Sequence, residues 1–93
     1  MSELLEKFKQ DALAAGVDEL IERVWAPGQV VGLHVHEFDA EALVTRGELW
    51  LTRDGETRRL TAGDTFQLEH GTPHAERYGP EGATYWVARR NPR

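Results

Sequence analysis

The sequence predicts an all-β domain preceded by one short α-helix, and two observations favour this fold class. After Gly16, short runs rich in Val, Leu, Trp, Thr and Tyr are separated by turn-forming residues, at the spacing of about 8–12 residues that is typical of a β-sandwich or β-barrel. Before Gly16, apolar residues recur at helical spacing. The 93 residues suit one small domain, so we expect residues 1–16 to be a helical extension and residues 17–93 to be a single β-domain.

The N-terminal helix is expected over residues 3–15. Ser2 is suited to the N-cap position, because its hydroxyl can accept a hydrogen bond from a free backbone N–H of the first turn. Gly16 is suited to end the helix. The apolar residues that would form the buried face are Leu4, Leu5, Phe8, Ala12 and Ala15.

The β-domain is expected to contain about seven or eight short strands. The strongest local signal is Asp54-Gly55 between two alternating runs, because a two-residue type I′ hairpin needs positive φ at both central positions. Further breaks are expected at Pro27-Gly28, Ala62-Gly63-Asp64 and Pro80-Glu81-Gly82. The predicted strands cover residues 17–26, 29–36, 41–46, 48–53, 57–61, 64–69, 74–79 and 83–90.

Composition and charge exclude several classes of function. The formal net charge is −5, and no Lys/Arg cluster stands out, which argues against nucleic acid and anionic membranes as partners. The sequence has no cysteine, so disulfides, thiolate metal ligands and thiol nucleophiles are excluded, and a cytoplasmic location is expected. Charged residues run through the first 16 positions, so we expect neither a signal peptide nor a membrane span there.

The histidines point to a metal site. His34 and His36 are two residues apart, so in a regular strand they share one face and can converge on one ion. His74 follows a Gly-Thr-Pro turn and opens a second predicted strand, which makes it the third candidate ligand. His70 lies in the preceding loop and is the weaker candidate. The alternative is that the histidines are satisfied by hydrogen bonds and bind no metal.

Two groups of residues at defined spacing carry a family resemblance. The first group is Gly28, His34, His36, Glu41 and Gly47, and the second is Gly63, Glu69, Gly71, His74 and Tyr78. Their order and spacing resemble the two motifs of the cupin superfamily over about residues 20–90. The resemblance implies a small β-barrel of jelly-roll topology.

The resemblance also implies that His34, His36 and His74 are ligands of a divalent metal ion such as manganese, iron, nickel or zinc. Cupins commonly form two-fold dimers, so a homodimer is expected. Two positions depart from the second motif, since its usual Pro is Glu69 and its usual Asn is Tyr78.

The carboxylate ligand is displaced relative to the first motif. The motif places it where this chain has Ala40, one residue before Glu41, and a shift of one residue reverses the face of a strand. A β-bulge near Ala40 would return Glu41 to the interior. Alternatively Glu76, which shares the face of His74 in a regular strand, supplies the carboxylate, or water completes a three-histidine site.

Two functions from different classes fit these residues. The first is a non-catalytic module that binds a metal and recognises a small molecule in a pocket, and the irregular carboxylate position favours it. The second is a metal-dependent enzyme of dioxygenase or isomerase type acting on a small organic substrate, with Glu76 and Tyr78 as candidate catalytic residues. We expect the Tyr78 hydroxyl to donate to a bound ligand and Phe38 to close the mouth of the pocket.

Overall fold

A computed structural model describes residues 1–92, which form one helix and six antiparallel strands. The prediction of an all-β fold with one N-terminal helix is therefore confirmed. The helix is α1 (Ser2–Ala14), and the strands are β1 (Glu19–Trp25), β2 (Val30–His34), β3 (Asp39–Arg53), β4 (Glu56–Thr61), β5 (Thr65–Leu68) and β6 (His74–Arg90).

The helix begins one residue earlier than predicted, and its N-cap differs. Ser2 is the first helical residue, the N-cap is Met1, and no side chain caps the helix. The prediction of Ser2 as the cap is wrong, because the backbone N–H of Leu5 already bonds to the Met1 carbonyl at 2.9 Å. The helix ends at Ala14, one residue earlier than predicted, and Ala15 is its C-cap.

The helix lies against the outer face of the sheet. The ammonium group of Lys9 is 4.1 Å from the centroid of the Trp86 ring. At the other end, Arg90 donates a hydrogen bond to the Ala15 carbonyl at 2.6 Å. Ala12 is the one buried helical residue within the part of the chain that the structure describes. These contacts attach the helix to the domain of its own chain.

Two long strands replace four of the predicted short ones. Residues 41–46 and 48–53 join in β3, and residues 74–79 and 83–90 join in β6. The predicted break at Pro80-Glu81-Gly82 is wrong, because the strand continues through it. Likewise β3 continues through Gly47. The pairing of β3 with β6 shifts register twice there, between Val44 and Arg46 and between Gly47 and Leu49.

The sheet folds over on itself at the middle of β3 and β6. The first half of β3 pairs with β5 and with the second half of β6, whose other edge pairs with β1. The second half of β3 pairs with β4 and with the first half of β6, whose other edge pairs with β2. Side chains of both halves form one interior cluster, so the two halves face each other as a sandwich.

Two glycines approach each other closely where the sheet folds over at the middle of β3 and β6. Gly47 has φ of 76° and Gly82 has φ of 72°. A Cβ on Gly47 would collide with the carbonyl oxygen of Gly82, and a Cβ on Gly82 would collide with the carbonyl oxygen of Trp25. Glycine is therefore required here for space as well as for backbone conformation.

The hairpin between β3 and β4 has the predicted geometry. Arg53 pairs with Glu56, and the two residues between them, Asp54 and Gly55, have φ of 52° and 76°. Positive φ at both positions is the signature of a type I′ turn. Within the described residues, no helix is long and apolar enough to cross a membrane.

Candidate metal centre

The structure brings His34, His36 and His74 together in the interior. One ring nitrogen from each residue lies within 4.8 Å of the others, and the ring centroids are 4.2–4.9 Å apart. His34 ends β2 directly opposite His74, which begins β6. The pairing of β2 with β6 thus places His34 beside His74.

His36 reaches the group from a loop and not from the predicted strand. β2 ends at His34, and the carbonyl of His36 accepts a hydrogen bond from the backbone N–H of Gly71 at 2.8 Å. The neighbours Leu33 and Val35 are exposed, so the side chains still alternate. Hence the same-face relationship of His34 and His36 holds although the strand is shorter than expected.

Hydrogen bonds identify the donating nitrogen in two of the rings. Nδ1 of His34 is 2.7 Å from the carbonyl oxygen of Gly32, and Nδ1 of His74 is 2.9 Å from the carbonyl oxygen of Thr72. A carbonyl oxygen only accepts, so each Nδ1 carries the proton and donates. In the neutral form of each ring, Nε2 therefore presents a lone pair, the form that binds metal ions.

The electrostatics of His36 also favour the neutral ring. Burial lowers the pKa of His36 to about 4, and the neighbouring His74 and His34 add to this effect, followed by Arg89 and Arg23. The ring stacks on Phe38, with centroids 4.6 Å apart and an interplanar angle of 17°. His36 is therefore uncharged near neutral pH and restrained on one face.

Glu76 is the carboxylate beside the three histidines. It is only 6% exposed, and its Oε2 lies 3.5 Å from Nε2 of His34. Its Oε1 accepts a hydrogen bond from the Tyr78 hydroxyl at 3.0 Å. The position of Glu76 agrees with the prediction that it shares the interior face with His74.

Glu41 lies on the other face of the sheet. The pairing of β3 with β5 and β6 is continuous from Ala40 to Leu43, so no bulge near Ala40 shifts the phase. Ala40 and Ala42 are buried, whereas Glu41 is exposed. The prediction of Glu41 as a metal ligand is therefore corrected, because regular alternation directs its carboxylate away from the histidines.

Tyr78 and His70 occupy positions outside the group. Tyr78 is 2% exposed and stacks on Trp25, with centroids 4.9 Å apart, and burial raises the pKa of its hydroxyl. That hydroxyl is directed to Glu76, so its expected donation to a ligand is replaced by a structural hydrogen bond. His70 is exposed and its Nδ1 lies 2.9 Å from Asp39.

A cavity of about 60 Å³ adjoins the histidines. One water needs roughly 10–15 Å³ of such space, so the cavity accommodates about four to six waters or a similarly small ligand. The residues that line it are Arg23, Trp25, His34, His36, Phe38, Ala40, Phe66, Leu68, His74, Glu76, Tyr85, Val87 and Arg89. Phe38 borders this cavity, where it was expected to close the mouth.

The two arginines in the cavity wall are the residues that sequence reasoning missed. Arg23 lies on the face of β1 that also holds Ile21 and Trp25, all three partly buried. Arg89 lies two residues after Val87 along β6, and both line the cavity. Strand alternation was the available signal, since it places Arg23 on the same face as these apolar neighbours.

The three histidines meet the chemical requirements of a metal site. Nε2 of His74 is buried and has no hydrogen-bond partner within residues 1–92. In a tetrahedral site with metal–nitrogen bonds of 2.0–2.1 Å, the ligand atoms are about 3.3 Å apart. Small side-chain rotations that shorten the longest separation by about 1.5 Å would give this geometry. The donor set, three imidazoles with a carboxylate nearby, therefore fits a divalent transition metal.

Comparison with known proteins identifies the family. A family model described as "Cupin domain" matches residues 22–87. The chain belongs to the cupin superfamily. A search of curated proteins finds no match to this cupin.

Solved structures agree with the cupin assignment. A protein of unknown function from Rhizobium leguminosarum bv. viciae 3841 is 25% identical with a TM-score of 0.74, and the match covers 78% of this chain and 69% of that chain. An RmlC-like cupin from Shewanella frigidimarina NCIMB 400 is 24% identical with a TM-score of 0.69, covering 80% and 66%. An oxalate decarboxylase variant from Bacillus subtilis is 22% identical with a TM-score of 0.69, covering 77% of this cupin but 20% of the decarboxylase. The expected jelly-roll architecture is confirmed.

Proposed function

We propose that this cupin binds one divalent transition metal through His34, His36 and His74, and that it recognises a small molecule in the adjoining cavity. The observation that carries the proposal is the buried Nε2 of His74, which has no hydrogen-bond partner within residues 1–92. Leaving a buried acceptor unsatisfied costs about 1–3 kcal/mol. A metal ion shared with the other two histidines would remove that cost.

Glu76 is proposed to complete the ligand set in place of Glu41. Its Oε2 is 3.5 Å from Nε2 of His34, and the Tyr78 hydroxyl orients the carboxylate through its other oxygen. A buried carboxylate needs a compensating charge or hydrogen bonds. The metal would supply that charge, and Tyr78 supplies one hydrogen bond.

The ligand set does not select one metal. Imidazole nitrogens suit zinc, iron, nickel and copper, and carboxylate oxygens suit manganese as well. We therefore propose manganese, iron, nickel or zinc as the candidates, with occupancy decided by supply as much as by affinity. When bound, the metal would act as a Lewis acid toward an oxygen of the ligand.

The protein side chains would hold the site in a defined state. The carbonyls of Gly32 and Thr72 keep the proton on Nδ1 of His34 and His74, and burial keeps His36 neutral. Metal binding at His36 therefore requires no proton release near neutral pH. Phe38 packs on His36 and limits access of water to one side of the site.

Metal analysis of histidine variants tests the proposal. His34→Ala, His36→Ala and His74→Ala should each lose most of the metal after loading and gel filtration, while His70→Ala should retain it. His70 is the matched control, because it is exposed and pairs with Asp39 outside the group. Equal metal content in all four variants, or a wild-type protein that stays metal-free, would refute the proposal.

A metal-dependent enzyme of dioxygenase or isomerase type is the second candidate. It is favoured by Glu76, since a buried carboxylate beside the histidines can serve as a general base instead of a ligand. Oxygen consumption or turnover of a small-molecule panel by the metal-loaded protein would support the enzyme. Thermal stabilisation by a small molecule without turnover would support the binding module.

We also propose that the protein is a homodimer. Three large apolar side chains on the strands β1 and β2 are 69–76% exposed, namely Val24, Val30 and Leu33, and a second copy would cover them. Light scattering coupled to gel filtration gives the mass directly, and a monomer at 100 μM protein would refute this part. A cytoplasmic location stays a prediction from composition.

A further inference from the structure

We infer that the cavity beside the three histidines takes a small organic anion, a carboxylate of two to four carbons, held by Arg23 and Arg89. The inference rests on the proposed function for the metal next to the anion. It adds the chemical class of the ligand and the residues that recognise it.

The first step is the position of the unsatisfied polar atoms. In the part of the chain that the structure describes, three buried side-chain polar atoms have no hydrogen-bond partner: Trp25 Nε1, His74 Nε2 and Arg89 Nε. All three residues line the same 60 Å³ cavity. Buried polar groups are normally satisfied, so their concentration at one cavity indicates a polar ligand.

The second step is the chemistry of these atoms. The indole Nε1 and the guanidinium Nε each carry a hydrogen and only donate. In its neutral form the His74 ring presents a lone pair at Nε2, because Nδ1 donates its hydrogen to the Thr72 carbonyl. Two donors and one metal-binding nitrogen match a ligand with acceptor oxygens placed beside a cation.

The third step is the charge of the cavity wall. Arg23 and Arg89 both line it, and within residues 1–92 neither has a carboxylate at ion-pair distance among the salt bridges formed. Glu76 is the one acid among the residues that line this cavity, and its Oε1 accepts a hydrogen bond from the Tyr78 hydroxyl.

The fourth step is the geometry of the two guanidinium groups. Arg23 lies over the Trp25 ring at 4.7 Å and Arg89 lies over the Phe38 ring at 4.4 Å. Stacking occupies the faces of a guanidinium and leaves its in-plane N–H groups available. Those groups match the paired oxygens of a carboxylate.

Size then limits the anion. The cavity of 60 Å³ holds about four to six waters, roughly the volume of a carboxylate of two to four carbons. Nucleotides and sugar phosphates are too large for a pocket of this size.

Calorimetric titration of the metal-loaded protein with malonate tests the inference, with neutral malonamide as the ligand control. Wild type should bind malonate and not malonamide. Arg23→Gln and Arg89→Gln should each weaken malonate binding about tenfold or more, while Arg46→Gln should bind as wild type. Arg46 is the matched control because it is exposed and does not line the cavity.

The metal content of every sample is measured in parallel, so the two proposals fail separately. Metal-free wild type would refute the proposed function. For protein with full metal content, three results would overturn the inference about the anion. They are no binding of malonate up to 10 mM, equal binding of malonate and malonamide, and unchanged malonate affinity in both arginine variants. If a glutamine variant fails to fold, Arg23→Lys or Arg89→Lys replaces it, and wild-type affinity in that lysine variant would count against a bidentate contact.

Discussion

His34 lies directly opposite His74 in the antiparallel pairing of β2 with β6, and each ring donates its Nδ1–H to the carbonyl oxygen two residues earlier in the chain. The two contacts, to Gly32 and Thr72, are 2.7 Å and 2.9 Å long. This repeated arrangement orients both Nε2 atoms before any metal arrives. Preorganisation of this kind lowers the conformational cost of binding.

Glu76→Gln should weaken metal binding by about 10–100-fold, the range seen when a supporting or completing group of a metal site is removed. Glutamine keeps the size of the side chain and removes its charge. Competition with a chelator of known affinity measures the change. Glu41→Gln is the matched control, since Glu41 is exposed on the outer face; if it weakened binding as much as Glu76→Gln, our placement of the carboxylate would be contradicted.

Tyr78→Phe should lower the free energy of unfolding by about 1–2 kcal/mol, because it leaves one oxygen of buried Glu76 without its donor. The effect should be smaller in a Glu76→Gln background, since the two side chains act through one hydrogen bond. Urea denaturation of the two single variants and the double variant gives the coupling energy. Strictly additive effects would show that the hydrogen bond contributes little.

The metal-free protein should lose stability as the pH falls from about 6.5 to about 4. The folded state holds the pKa of His36 at about 4 against an ordinary value of 6.5, so between these values the unfolded chain binds the proton and the folded chain does not. The stabilisation is complete above pH 6.5 and is lost as the pH approaches 4. Allowing for solvent screening of this partly exposed ring, we expect a contribution of about 1–2 kcal/mol.

Thermal denaturation of the chelator-treated protein at several pH values measures this dependence. His36→Gln should flatten the curve between pH 6.5 and 4, and His70→Gln should leave it as in wild type. A wild-type slope retained in His36→Gln would assign the proton to another group.

Gly47→Ala should destabilise the fold by about 3 kcal/mol or more, because it adds backbone strain at positive φ to a collision with the Gly82 carbonyl. Gly32→Ala is the control, since a Cβ there meets no atom within 4 Å and its φ is not positive. Urea unfolding compares the two variants. Near-equal stability of the two variants would mean that the backbone around Gly47 and Gly82 relaxes more easily than the structure indicates.

Local signals in the sequence were sufficient where neighbouring residues decide the structure. The type I′ hairpin at Asp54-Gly55 depends on two adjacent residues, and it was predicted correctly. The shared face of His34 and His36 depends on alternation over three residues, and it also holds. Their meeting with His74 was predicted through the order of two motifs along the chain, and strand pairing produces it.

Long-range register explains what the sequence did not reveal. The face of Glu41 depends on where β3 shifts its pairing, and the structure places both shifts after Val44 and not near Ala40. The break predicted at Pro80-Glu81-Gly82 fails because pairing of β6 with β3 resumes on its far side, where pairing with β1 also begins. Alternation along β1 places Arg23 on the face of Ile21 and Trp25, but that this face lines the cavity follows only from the long-range pairing of β1 with β6.

Anomalous diffraction from crystals of the metal-loaded protein tests the central claim most directly. We expect one anomalous peak within about 2.0–2.2 Å of Nε2 of His34, Nε2 of His74 and a ring nitrogen of His36, with the Glu76 carboxylate nearer to it than that of Glu41. A fully loaded crystal in which the only peak lies away from these three rings would contradict the account.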